Sequence, residues 1–196
     1  MPSKTEITRA DIIDMETYAA NRKERRAGVV ARKKNRRADV GPHATAYFEN
    51  YETMWHQVHE MLFIERGGEA QIRDELAAYN PLIPQGRELV TTIMFEIDDP
   101  VRRKMVLSKI GGIEETVFLK FAGQTITGVP EADLDRTTAD GKASSVQFVH
   151  FPFTDEQAAL FQAADTEITL GFGHPEYAHM TVLPETVRSE LSGDFV

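Results

Sequence analysis

Twice in its second half the chain runs strand, helix, strand in nearly the same measure. "LVTTIMFEI" (89–97) is rich in β-formers, "DDPVRRKMVLSKI" (98–110) opens with acids and Pro100 as helices do, and "ETVFLKF" (115–121) is β-rich again. The order returns in "SSVQFVHF" (144–151), "TDEQAALFQAA" (154–164) with Thr154 as its cap, and "TEITLGF" (166–172). Two such units in tandem predict an α+β fold with the β-α-β-β-α-β order of a ferredoxin-like sandwich, one sheet with helices on one face. Between them, 122–143 is expected to hold a small hairpin and then a mobile loop, with Asp133 to Lys142 the most mobile part; 184–191 reads as a closing helix.

The first half reads as helices. Thr8 and Asp11 have the spacing of a capping box. From Met15 an apolar period passes through Tyr18, Ala19, Val29 and Val30, weakened by Gly28, and the chain breaks at Gly41-Pro42. "HATAYFE" (43–49) reads as one short strand. Tyr51, Met54, Trp55, Val58, Met61 and Leu62 recur at three- and four-residue spacing, the apolar face of a helix that ends at Gly67-Gly68. A third helix, 69–79, stops at "NPLIP", because Pro81 excludes the helical conformation at Asn80. The expected organisation is a helical N-terminal region, 1–84, packed on a sheet domain, 85–196, in one unit.

Charge is distributed unevenly. The chain carries −9, yet nine of its 22 basic residues fall between Asn21 and Ala38, opposed there only by Glu24. Subtracting that segment's net +8 leaves −17 on the other 178 residues. An acidic surface disfavours nucleic acid everywhere except at this run, and no aromatic side chain is interleaved with it as a base-stacking platform needs. If the run continues the helix from Met15 to Arg37, then Arg22, Arg26 and Lys33 share the stripe of Tyr18 and Val29, while Lys23, Arg25, Arg32 and Lys34 lie on its flanks. Cations on a packing face need anions. These are carboxylates of the protein, carboxylates of a second copy, or a bound anionic ligand held by Arg22, Arg26, Lys33, Arg36 and Arg37.

There is no cysteine, so disulfides, thiol catalysis and cysteine-ligated clusters are excluded for this chain, and a reducing cytoplasm is the expected setting. No apolar run has the length of a membrane span, and the polar start "MPSKTEITRAD" shows no signal peptide.

The ordered strings "KKNRR" (33–37), "FEN" (48–50), "HEML" (59–62), "AYNPLIP" (78–84) and "GIEETVFL" (112–119) resemble a bacterial family catalogued as a domain of unknown function. The resemblance runs over nearly the whole chain. It implies a genomic neighbourhood with a rubrerythrin-like diiron protein and an iron–sulfur oxidoreductase, hence oxidative-stress or redox metabolism. It carries no catalytic residue.

Two constellations have the residue types of chemistry. In "ETMWHQVHE", Glu52, His56 and His59 fall within about 60° of one another on a helix, with Glu60 adjacent. Read as metal or proton-transfer groups they are candidates; read by periodicity they form a solvated polar face. The other is the histidine-bearing segment "GFGHPEYAHM", where His174, Glu176 and His179 follow a strand and His150 lies near the end of another. Three imidazoles and a carboxylate suit Zn²⁺ or a related cation, though the spacing is that of no established motif and His174-Pro-Glu equally reads as a turn. Dinucleotide-binding, P-loop and nucleophile-elbow motifs are absent. The sequence assigns no cofactor and no reaction. It supports a cytoplasmic accessory or binding protein, self-associating as a dimer, that takes an anionic ligand or a redox protein partner through the basic run. Its alternatives are a metal-dependent enzyme built on the C-terminal histidines and a nucleic-acid-binding regulator.

Overall fold

The computed structural model of the chain describes residues 4–131, 137, 138, 141–163 and 165–195. Helix starts follow the capping chemistry of the sequence. Thr8 and Asp11 close a capping box over a 3-10 turn. Asp14 caps α1 (Met15–Lys33) and Asn50 caps α2 (Tyr51–Glu65), each through the backbone N–H three residues on. Arg66 takes the left-handed conformation that ends α2, and α3 (Gly68–Tyr79) follows. Between α1 and α2 the chain forms β1 (Arg37–Val40) and β2 (Ala44–Glu49).

The second half supplies β3 (Glu88–Phe95), α4 (Pro100–Leu107), β4 (Val117–Phe121), β5 (Gln124–Thr127), β6 (Val129–Pro130), β7 (Val146–Pro152), α5 (Asp155–Gln162), β8 (Thr169–Phe172), β9 (Met180–Val182) and α6 (Glu185–Ser192). The fold is α+β, with two antiparallel sheets of order β1-β2-β3-β7-β6 and β5-β4-β8-β9. The expected single ferredoxin-like sheet is therefore corrected. β3 pairs with β7 in one sheet and β4 pairs with β8 in the other. Each strand-helix-strand unit thus divides its two strands between the sheets. The strand-helix-strand rhythm does not state which sheet receives the second strand; that is set by pairing partners far apart in sequence, β3 with β7 and β4 with β8.

The sheets join where β5 passes into β6. Gly128 donates its N–H to Val117 O at 2.8 Å, and a Cβ there would stand 2.4 Å from Val149 Cγ1, so this corner admits only glycine. One core collects the inward side chains of both sheets with α5 and α6, including Phe48, Ile93, Leu119, Val149, Phe151, Phe161, Leu170 and Phe195. A second core lies under α2 and α3, where Ile7, Met54, Val58, Leu62, Leu82 and Ile83 meet Val90. The N-terminal region, expected to be helical apart from one short strand at 43–49, gives that strand and a second, β1, to the main sheet. Of the expected mobile stretch from Asp133 to Lys142, residues 133–136, 139 and 140 lie outside the described residues. No helix among the described residues is long and apolar enough to cross a membrane.

Candidate functional site

Helix α1 lies antiparallel along α2, and the two are tied by polar side chains at i, i+4 spacing on each. Tyr18, the fully buried residue of α1, places its hydroxyl 2.8 Å from Glu60 Oε1 and 3.1 Å from His56 Nδ1. Arg22 grips both oxygens of Glu60 at 2.8 Å and lies over the ring of Phe63. With that fork in place Glu60 titrates down near 2, held there by Arg22 first and by Tyr18 as well, against the opposing effect of burial. His59 accepts the Ile13 N–H at Nε2 and donates from Nδ1 to Trp55 O at 2.7 Å, while stacking on the Trp55 ring. Burial keeps its imidazole neutral, with a pKa lowered to about 4. The Trp55 indole N–H is taken by Asp11 O. The polar face of α2 is therefore an interhelical seam rather than a solvated surface.

Beyond Arg22 the seam opens. Arg25, Gly28, Val29 and Arg32 on α1, with Tyr51, Glu52, Trp55 and His56 on α2, line a cleft of about 360 Å³. Gly28 creates the space, since a Cβ at that position would meet nothing within 4 Å. The Arg25 guanidinium lies 5.0 Å over the Trp55 ring, and Arg32 is ion-paired with Glu52 at the rim. His56 forms part of the inner wall. It is only 9% exposed, and its Nε2 makes no hydrogen bond among the described residues. Desolvation lowers its pKa, and Lys33, Arg22 and Arg26 push the same way against Glu60. A larger hollow of about 770 Å³ lies between the N-terminal segment, α2 and α3. Its walls are mainly apolar; of its charges Arg9 is committed to Glu69 and Asp14 to the start of α1, while Arg66 has no ion pair among the described residues.

The cations proposed from sequence separate into different environments. Arg22 serves Glu60. Arg36 is 1% exposed and its guanidinium is fully engaged, with Phe48 O and Glu49 O on one side and Asp194 at 2.5 and 3.1 Å on the other. Burial raises the Asp194 carboxyl against the pull of that guanidinium. Arg36 is thus a structural clasp between β2 and the residues after α6, not an anion receptor. Arg37 lies exposed beside Asp39. Arg26 is exposed with no ion pair among the described residues, a correction to its placement on the packing stripe. Lys33 is half-buried and borders a separate hollow with Tyr47, Met54 and Phe148. The cations at the cleft, Arg25 and Arg32, are two that periodicity assigns to the flanks.

The four C-terminal metal candidates are not brought together. His150 on β7 is held between Glu88 at Nδ1, 3.0 Å, and Glu131 at Nε2, 2.9 Å. Two carboxylates on opposite nitrogens favour the imidazolium, and its pKa is raised, by Glu88 first. His174 shapes a turn, accepting the Glu176 N–H at Nδ1 and facing Gly111 O through Nε2. Glu176 is exposed. His179 packs its ring on Tyr177 and over Gly41, whose φ of +70° and close contact with that ring require glycine. Among the described residues no three or more His, Asp or Glu side chains are grouped to hold a metal ion. Sequence reasoning singled out His56 and Glu60 but placed Tyr18 among apolar residues and treated Gly28 as a weak point in the helix. The available signal was the matching i, i+4 spacing of Tyr18–Arg22 and His56–Glu60.

Comparison with known proteins gives the family. The model of a protein family described as "Protein of unknown function (DUF3501)" matches residues 6–195. The chain belongs to the DUF3501 family. A crystal structure of a novel protein of unknown function from Burkholderia pseudomallei K96243 is similar to this DUF3501 chain, at 33% identity and a TM-score of 0.89, over 97% of this chain and 99% of the other. No curated protein matches. The DUF3501 match covers α1, α2 and the cleft between them.

Proposed function

We propose that this DUF3501 protein is an accessory binding protein of the cytoplasm that takes an anionic ligand in the cleft between α1 and α2. One observation carries the reading. The basic run is sorted by the fold, with Arg22 and Arg36 consumed by internal carboxylates while Arg25 and Arg32 are carried to the rim of an open cleft beside Trp55. An arginine fixed on an aromatic face is pre-oriented for a carboxylate or phosphate. The Arg32–Glu52 pair is exposed on both sides, so a ligand displaces Glu52 at a cost of about 1 kcal/mol or less.

Self-association and a redox protein partner complete the proposal. Supporting the first are exposed apolar pairs that share a face of their element, Val101 with Met105 on α4 and Met180 with Val182 on β9. The genomic neighbourhood implied by the sequence resemblance supports the second. The test of ligand binding is thermal melting of the full chain in phosphate, sulfate or citrate against chloride at equal ionic strength. The polyvalent anions should raise the melting temperature of the wild type by more than that of an Arg25→Gln, Arg32→Gln double variant, in which only their general salting-out effect remains. An equal rise in both proteins removes the anion reading.

A further inference from the structure

The hydrogen-bond roles inside the seam define the chemistry that the cleft can accept, and this inference rests on the anion reading above. Glu60 is ionised and forked by Arg22, so toward Tyr18 it only accepts. The single proton of the Tyr18 hydroxyl goes to Glu60 Oε1 at 2.8 Å. The Tyr18 oxygen can then only accept from His56, and the 3.1 Å contact assigns the ring proton to Nδ1. That leaves Nε2 of His56, a largely buried side chain lining the cleft, as an acceptor that reaches solvent and has no protein partner among the described residues. An inner acceptor and two guanidinium groups at the rim make complementary demands. A ligand matching both presents a hydroxyl or N–H inward and its negative charge outward.

We infer that the α1–α2 cleft binds a small hydroxylated organic anion, of the hydroxy-acid or sugar-phosphate class, with its hydroxyl on His56 Nε2, its charge on Arg25 and Arg32, and its carbon body over Gly28. An anion with no hydroxyl or N–H satisfies the rim alone and leaves the Nε2 acceptor to solvent. Apolar carboxylates do the same. The space above Gly28 suits the size, since a cleft of about 360 Å³ is near the lower end of small-molecule sites.

The experiment is isothermal titration of the full chain with matched pairs that differ by hydroxylation: glycerol 3-phosphate against n-propyl phosphate, and lactate against propionate, with inorganic phosphate as a fifth ligand. The hydroxylated member of at least one pair should bind about threefold to tenfold more tightly, the discrimination expected from one added hydrogen bond to an acceptor otherwise left to water. Whichever pair shows it identifies the charged group as phosphate or carboxylate. His56→Leu should erase the preference while leaving residual binding to the arginines. Because His56 also supports Tyr18, Gly28→Leu serves as an independent variant: it fills the cleft from a position with free space around it, and should abolish binding of all five ligands without lowering the melting temperature. Equal binding within both pairs, or inorganic phosphate binding as tightly as glycerol 3-phosphate, with Arg25→Gln weakening every ligand alike, overturns this inference and leaves the anion reading standing. Absence of binding by all five ligands, with no effect of Arg25→Gln, overturns both.

Discussion

Arg36 and Arg26 stand ten residues apart in the same basic run and have opposite physical situations. Arg36 has every face of its guanidinium occupied inside the protein, with Asp194 as counter-ion and two carbonyls of β2 as acceptors. Removing it leaves Asp194 buried and alone, and loss of one partner from a buried pair costs about 3–5 kcal/mol. Arg26 is solvated and pairs with nothing among the described residues. We therefore expect Arg36→Ala to lower stability in urea by about that amount and Arg26→Ala to change it by about 0.5 kcal/mol or less. Comparable urea midpoints for the two variants would contradict the assignment of Arg36 as a clasp. Residue type and local charge do not separate these two arginines; only their neighbours in space do.

At the scale of elements, α1 is held to the body mainly through its seam with α2. Its outward face is polar and leaves Val30 52% exposed, so the seam must supply the adhesion. His59 makes this layer acid-sensitive. Its folded pKa is near 4 against an ordinary 6.5, so between those values the unfolded chain binds a proton that the folded chain refuses. The stability from neutral His59 is complete above pH 6.5 and is lost as the pH falls toward 4. Trp55, the sole tryptophan, stacks on His59 and reports the event. Its fluorescence should change over pH 6.5 to 4 together with loss of amide protection in α1, and His59→Gln should flatten the transition. An unchanged signal to pH 4 in the wild type would show that the seam does not depend on a neutral imidazole.

For the whole molecule, the chain passes from one sheet directly into the other at the Gly128 corner, and His150 sits beside it. β6 pairs with β7 at Val129↔His150, and the His150 ring links Glu131, just after β6, to Glu88 at the start of β3. Its raised pKa has the opposite consequence to that of His59. Stability from the imidazolium is complete below 6.5 and is lost as the pH rises through the elevated folded value. The melting temperature of the wild type should therefore fall on the alkaline side of neutrality. His150→Gln, which hydrogen-bonds without charge, should melt lower at pH 6 and show a shallower alkaline decline. A wild-type profile flat from pH 6 to 9 would remove His150 from the account.

The sequence by itself determined the local structure. Thr8, Asp14, Asn50, Asp99 and Thr154 begin their turns and helices as capping side chains do, because a cap needs only a neighbour three residues away. The α+β class and the order of the main elements from β3 to α6 were legible in the same way, from periodicity and punctuation. The short strands β1 and β9 were not, since a strand of three or four residues exists through its partner rather than through its own pattern. Sheet membership belonged to tertiary structure too: a β-α-β rhythm is the same whether its helix returns the chain to one sheet or carries it to another. The site followed that division. His56 and Glu60 were visible on one helix and Tyr18 and Arg22 on another, each at i, i+4. The packing of α1 against α2 turned them into a hydrogen-bonded seam, sent Arg25 and Arg32 to the rim, and made the missing side chain of Gly28 into a cleft, because those relations join residues 20 to 42 positions apart that periodicity does not connect.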